Sequence, residues 1–302
     1  MENKVFYTAK EASEFLQINE KKLYVLAASG HIPATKITGK WLFPANELKQ
    51  FLIRDALSQC PDNITPLLDQ GFMLFAGSDD PILNRIFHAF HAEHPQLEIY
   101  YSCVGSFRGL ELLGRHQCHV AFAHIYHQDT DEFNFYYADQ YLAKDSYVII
   151  NLFRRDIGFV SRQPICSFQE VRDKELIFVN RQPQSGIRNL TEQMLHSEQL
   201  KDSNIKIFKQ EMLTHFDVAQ TVSQHENTVG IASQLTASQF DLHFHKLMEE
   251  RFDLITYKES SLHENLVRFV NHLKNSIPSQ FSDVQGYHFE ATGQTMIRGE
   301  KR

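Results

Sequence analysis

No apolar run in this sequence approaches the roughly 18 residues that a membrane-spanning helix needs, so no membrane partner is expected. Cysteine is scarce. Cys60, Cys103, Cys118 and Cys166 are scattered, with no CxxC pair, which fits a reducing compartment and argues against a structural zinc. The chain also lacks HExxH, GxSxG, a P-loop and a two-glycine dinucleotide turn after a strand, so it carries no common catalytic signature and an enzyme is not expected. No apolar leader core follows Met1-Glu2-Asn3-Lys4, so export is not supported and a cytoplasmic location is expected.

What is present is ample material for a core. The 302 residues are 42% hydrophobic and 22% charged, enough for two or three folding units. The net charge of −7 is unevenly spread: residues 1–55 hold eight Lys/Arg against six Asp/Glu, or +2, which leaves −9 on the rest. A polyanion partner therefore belongs to the N-terminal segment. Sixteen histidines are present. His88, His91 and His94 share one helical face, His243 and His245 alternate along a strand-like stretch, and His119 and His124 bracket a strand. None of these forms a convergent ligand set, so neither a metal nor a cofactor is expected.

Thr8-Ala9-Lys10-Glu11 has capping-box spacing and opens a helix through Ala12, Phe15 and Leu16. Asn19 caps a second helix, Glu20 to Ser29, that Gly30 closes. Two helices joined by a tight turn are a helix-turn-helix, whose second helix enters the major groove. Thr35 to Phe43 alternates around Gly39 and reads as a hairpin wing, and Pro44 starts a third helix packed through Leu48, Phe51 and Leu52. The segment resembles the excisionase-like and MerR-like winged helix-turn-helix family through Tyr7-Thr8-Ala9-Lys10-Glu11-Ala12, Lys22-Leu23-Tyr24, Gly30-His31-Ile32-Pro33-Ala34 and Gly39-Lys40-Trp41-Leu42-Phe43-Pro44. That resemblance implies double-stranded DNA as a partner. It places Lys21, Lys22 and Tyr24 at the groove and phosphates, and Lys36 and Lys40 at the flanking backbone. A protein-interaction domain with a solvated lysine face is the competing reading.

Residues 56–70 lose periodicity, contain Pro61 and Pro66, and read as a linker. From 71 to 302, strands and helices alternate, which implies an α/β fold with a parallel sheet. The strand Phe72–Ala76 runs into Gly77-Ser78, and the strand ending at Val104 runs into Gly105-Ser106. Each is followed by a helix. Small residues at strand ends line the usual crevice, and helix N-termini offer unpaired amides to an anion. A third loop, Arg181 to Arg188, sets two guanidinium groups around Ser185 and Gly186, a donor set suited to an oxyanion or carboxylate. Simple helix caps and structural ion pairs would account for the same spacing.

Residues 71–297 resemble the periplasmic-binding-protein-like domain of the molybdate- and tungstate-binding type. The matching stretches include Gly77-Ser78-Asp79-Asp80-Pro81, Gly105-Ser106-Phe107-Arg108-Gly109, Ser185-Gly186-Ile187-Arg188, Thr214-His215-Phe216-Asp217 and Glu250-Arg251-Phe252-Asp253. The resemblance implies a two-lobed type II domain that closes on a ligand. It implies Ser78 and Ser106 as first-lobe ligands. Arg181, Ser185, Gly186, Arg188, Thr214 and His215 would be their second-lobe counterparts. The family's third loop usually reads Gly-Ser-Gly-Thr-Arg. Here it reads Gln184-Ser185-Gly186-Ile187-Arg188, one hydroxyl donor fewer. A small organic anion therefore stands as the alternative ligand. If His215 faces the cleft, its reference pKa of about 6.5 would make anion binding pH-sensitive. The expectation as a whole is a homodimeric transcription regulator that senses a molybdate- or tungstate-like oxyanion.

Overall fold

The capping box at Thr8 forms: the Thr8 hydroxyl accepts from the Glu11 amide, and the Glu11 carboxylate accepts from the Thr8 amide at 2.9 Å. It lies in the first of two units, Met1–Pro66 and Leu67–Arg302, of a computed structural model that describes residues 4–37, 39–58, 64–200 and 204–299. The first unit holds β1 (Phe6–Tyr7), α1 (Ala9–Leu16), α2 (Glu20–Ala28), β2 (Phe43–Pro44) and α3 (Ala45–Ser58). Asn19 caps α2 by accepting from the Lys22 amide at 2.8 Å. Ala12, Leu23, Ala27, Ile32, Phe43 and Leu48 form its small core, while Leu52 faces outward. Thr35 and Leu42 exchange two backbone hydrogen bonds at 2.9 Å, the base of the expected wing, whose Thr38 lies outside the described residues. Phe43-Pro44 pairs back to Phe6-Tyr7, a long-range pairing the alternation alone did not reveal.

The stretch expected as a linker begins inside α3 and contains a short helix, α4 (Thr65–Asp69). Cys60 and Pro61 lie outside the described residues. The second unit continues with β3 (Phe72–Gly77), α5 (Leu83–Glu93), β4 (Glu98–Cys103), α6 (Ser106–Gly114), β5 (Val120–Ala123), β6 (Tyr126–His127), β7 (Glu132–Phe133), α7 (Phe135–Ala138) and β8 (Tyr147–Ser161). After these come α8 (Phe168–Asp173), β9 (Ile177–Val179), α9 (Gly186–Ser197), β10 (Lys206–Ile207), α10 (His215–Gln224), β11 (Thr228–Ser233), α11 (Gln234–Gln239), β12 (His243–Tyr257), α12 (Lys258–Ser261), α13 (Glu264–Gln280) and β13 (Tyr287–His288).

The main sheet runs β10-β9-β11-β8-β12-β5-β3-β4, with β13 also on β8. Parallel β3, β4 and β5 build the first lobe, and parallel β9, β10 and β11 build the second. The 15-residue strands β8 and β12 belong to both lobes. They pair antiparallel from Tyr147↔Tyr257 to Ser161↔His243, with register shifts at Lys246/Met248 and Phe252/Asp253. Each lobe has its own core. Phe75, Phe90, Phe122 and Phe269 anchor the first, and Phe159, Phe168, Phe178 and Ile187 the second. Parallel strands covered by helices on both faces read as near-continuous apolar runs, as Phe72–Ala76 and Val120–Ala123 do.

Candidate functional site

Ser78 follows β3 and Ser106 begins α6. Both side chains are buried, and their hydroxyls lie 2.7 Å apart. The Ser106 hydroxyl also accepts from the His124 amide at 3.3 Å. Gly105 adopts φ +85°, which glycine tolerates without strain, and lies so close to the Gln184 carbonyl that a Cβ would fall 2.5 Å from it. The Phe107 amide donates to that same carbonyl at 3.3 Å. The second-lobe loop is thus held on the first, and Gly186 comes against the His124 ring.

In the second lobe, Ser185 caps α9 by accepting from the Ile187 amide at 3.2 Å, and Gly186 is that helix's first residue. Thr214 caps α10 in a capping box with Asp217, at 3.0 and 2.9 Å. His215, first residue of α10, is fully buried, with its ring 6.4 Å from that of His124. Arg181, 2% exposed, donates from Nη2 to the Leu213 carbonyl at 2.7 Å. Among the described residues, its Nη1 and both ring nitrogens of His215 have no hydrogen-bond partner. Arg188 is placed differently. It pairs with Glu192 at 2.8 Å and Glu211 at 3.5 Å, and it reaches the cluster through a bond to the Arg181 carbonyl at 3.4 Å.

A network that sequence reasoning did not single out lies behind these loops. Arg155 on β8 is fully buried and bridges Asp80 to Glu250, reaching Glu250 Oε2 at 2.9 and 2.8 Å. Glu250 meets His124 Nδ1 at 2.7 Å, and the Tyr287 hydroxyl donates to Asp80 at 2.8 Å. The available signal was a run of charged residues, Arg154-Arg155-Asp156, inside an otherwise apolar strand. Buried charges persist only when paired.

These surroundings set protonation. Burial lowers the Arg181 pKa to about 10, helped by the positive charge of Arg155. Burial drives His215 well below its ordinary value, with Arg155 and Arg181 pushing the same way. The pH sensitivity expected near pH 6.5 therefore moves into the acid range. Burial also lowers His124, against the pull of Glu250. Burial raises Asp79, half-buried beside this cluster, and Asp80 reinforces the shift. The result is a buried guanidinium with a free donor, the two imidazoles of His124 and His215, the hydroxyls of Ser78 and Ser106, and three helix N-termini, from α6, α9 and α10. The donors in such a set have the chemistry to pair with a small anion.

In the first unit, Lys21, Lys22 and Tyr24 on α2 are exposed, as are Lys36 and Lys40 in the wing. The Lys36 ammonium lies 5.8 Å over the Trp41 ring. Val25, 61% exposed on α2, adds an apolar group that the sequence reading passed over. Among the described residues no helix is long and apolar enough to cross a membrane.

Comparison with known proteins agrees with this architecture. Residues 87–274 match the PBP superfamily domain, and residues 6–55 match a helix-turn-helix domain. The uncharacterized protein YvgK of Bacillus subtilis (strain 168) is 22% identical over 96% of this chain and 97% of its own length. An ABC-type phosphate transport receptor from Vibrio cholerae superposes with a TM-score of 0.51 at 15% identity, covering 72% of this chain and 99% of its own. The regulatory domain of MetR, a LysR family regulator from N. meningitidis, gives 0.53 at 11% identity, over 72% and 98%. The CcmR regulatory domain of Synechocystis PCC6803, in complex with 2-PG, gives 0.52 at 11% identity, over 68% and 96%. At these identities the likeness is one of fold, the two-lobed type II arrangement.

Proposed function

Because this chain belongs to the PBP superfamily and carries a helix-turn-helix domain, we propose that it is a ligand-responsive transcription regulator. The helix-turn-helix domain binds a double-stranded DNA operator. A small tetrahedral oxyanion of the molybdate or tungstate kind binds between the lobes. The observation that carries this reading is the set of buried donors without partners, Arg181 Nη1 and His215, beside the Ser78–Ser106 pair. A buried polar group left unpaired costs about 1–3 kcal/mol. Closure over these groups alone is therefore unfavourable, and an oxyanion that pairs with them favours the closed state. A ligand shifts such an equilibrium only by its differential affinity for the two states. In a homodimer, closure would alter the spacing of two DNA-reading units and so the fit to an operator.

One observation favours a second ligand. His124 gives its Nδ1 to Glu250, so in the neutral ring Nε2 is an acceptor, and it has no partner among the described residues. Molybdate is fully ionised at neutral pH and has no proton to donate. Hydrogenphosphate has one, and the Vibrio cholerae receptor of similar fold is named for phosphate transport.

A thermal-shift series on the full chain with molybdate, tungstate, phosphate and small carboxylates tests the reading. Stabilisation by an oxyanion that disappears in Arg181→Ala, with ligand-free DNA binding intact, is the expected result. Stabilisation by carboxylates alone makes the protein a sensor of organic acids. A response that survives Arg181→Ala means the site lies elsewhere.

A further inference from the structure

Asp156 and Glu249 stand directly opposite each other where β8 and β12 pass from one lobe to the other. Like charges so placed destabilise a sheet unless a cation sits with them. His288, on β13, reaches both: its Nε2 is 3.3 Å from Asp156 Oδ1 and 3.8 Å from Glu249 Oε2. One ligand atom from each of the three residues lies within 4.8 Å of the others. Among the described residues no other group of His, Cys, Asp or Glu converges in this way.

We infer that Asp156, Glu249 and His288 form a site for a divalent transition-metal ion, with water completing the shell. Tetrahedral zinc with bonds of roughly 2.1 Å sets its ligand atoms about 3.4 Å apart. The two distances from His288 are close to that spacing. One imidazole with two carboxylates suits Zn²⁺ or Mn²⁺, whereas Mg²⁺ and Ca²⁺ prefer all-oxygen shells. Two side chains now offset the carboxylates. Arg154 takes Glu249 Oε1 at 3.2 Å, which leaves Oε2 turned to His288. Lys246 takes Asp156 Oδ1 at 2.7 Å, the atom the metal requires, and its side chain is 49% exposed. An incoming ion displaces this ammonium into solvent.

The position gives the site a consequence. Successive residues of a strand face opposite sides of a sheet. Asp156, Glu249 and His288 are chain neighbours of Arg155, Glu250 and Tyr287, which hold the network behind the anion loops. A metal ion would therefore tie three strands on one side of the crossing and fix the backbone that carries the network on the other. This coupling rests on the oxyanion reading; the metal site does not.

The test is isothermal titration of the full, EDTA-stripped protein with ZnCl₂, then MnCl₂ and MgCl₂. One saturable Zn²⁺ per chain with no Mg²⁺ signal is expected. His288→Ala and Asp156→Asn should each weaken Zn²⁺ at least tenfold, with unchanged melting in EDTA. Lys246→Met should tighten it by removing the competing ammonium. No Zn²⁺ uptake overturns the site. So does uptake unchanged in both ligand variants, which would assign it to other histidines. Weaker binding in Lys246→Met also overturns it. If Zn²⁺ binds as expected but leaves molybdate-induced stabilisation unaltered, the metal site stands and the coupling is overturned.

Discussion

Gly186 lies against the imidazole of His124, so close that a Cβ there would fall 2.8 Å from Nδ1. His124 cannot yield freely, because its Nδ1 is tied to Glu250, which Arg155 grips in turn. Gly186→Ala should therefore obstruct closure. Alanine suits a helix better than glycine, so the unliganded fold should lose less than about 1 kcal/mol. Thermal shift with saturating oxyanion should show most of the ligand response gone, and small-angle scattering should show no ligand-induced compaction. A normal response in this variant would mean that the contact of Gly186 with His124 is not required for binding.

Acid should weaken the fold through His215. Its folded pKa is depressed, by burial first and then by Arg155 and Arg181, so below the ordinary value of 6.5 the unfolded chain takes up a proton that the folded chain refuses. The contribution of His215 to stability is therefore full above 6.5 and is lost as pH drops below it. Melting curves from pH 7.5 to 5 should slope less for His215→Gln than for the parent. A bound oxyanion should lessen the parent's loss, since negative charge favours the imidazolium.

Arg155→Met removes the guanidinium that bridges Asp80 and Glu250 and leaves two buried carboxylates without that cation. Breaking a buried ion pair from one side typically costs about 3–5 kcal/mol. Urea unfolding should show a loss of that order, partly recovered by also changing Glu250 to Gln. No recovery in the double variant would mean that the two side chains are not coupled.

Lys22→Ala should reduce the salt dependence of DNA binding. Each phosphate contact contributes about 0.9 to the slope of log K against log salt. Anisotropy titrations with a duplex should show a slope smaller by about that amount, and an unchanged slope removes Lys22 from the interface. Val25→Ala should leave the slope alone and change sequence preference, because an apolar side chain reads thymine methyl groups and neutralises nothing.

The loops were legible because their signal is local. A buried strand ending in Gly-Ser, followed by helical spacing, says where Ser78 and Ser106 stand whatever the rest of the chain does. Arg188 carries a local signal of a different kind, since Glu192 four residues on is a natural ion-pair partner on the same helix. Arg155, Glu250 and Tyr287 were beyond local reading. They meet only because β8, β12 and β13 pair across separations of about a hundred residues and more, and no spacing rule spans that distance. Burial was equally hidden: His215 looks the same in sequence whether it titrates near neutrality or well below it.

The two lobes share β8 and β12 from end to end, so neither can part from the other by unzipping. Any movement of one lobe against the other would have to twist that common ribbon, and a twist at its waist would be felt simultaneously by every strand laid alongside it. Sensitivity should therefore be spread along the ribbon. Substitutions far from the anion loops, at the register shifts beside Lys246 and Phe252, would tune the response as surely as changes in the loops themselves.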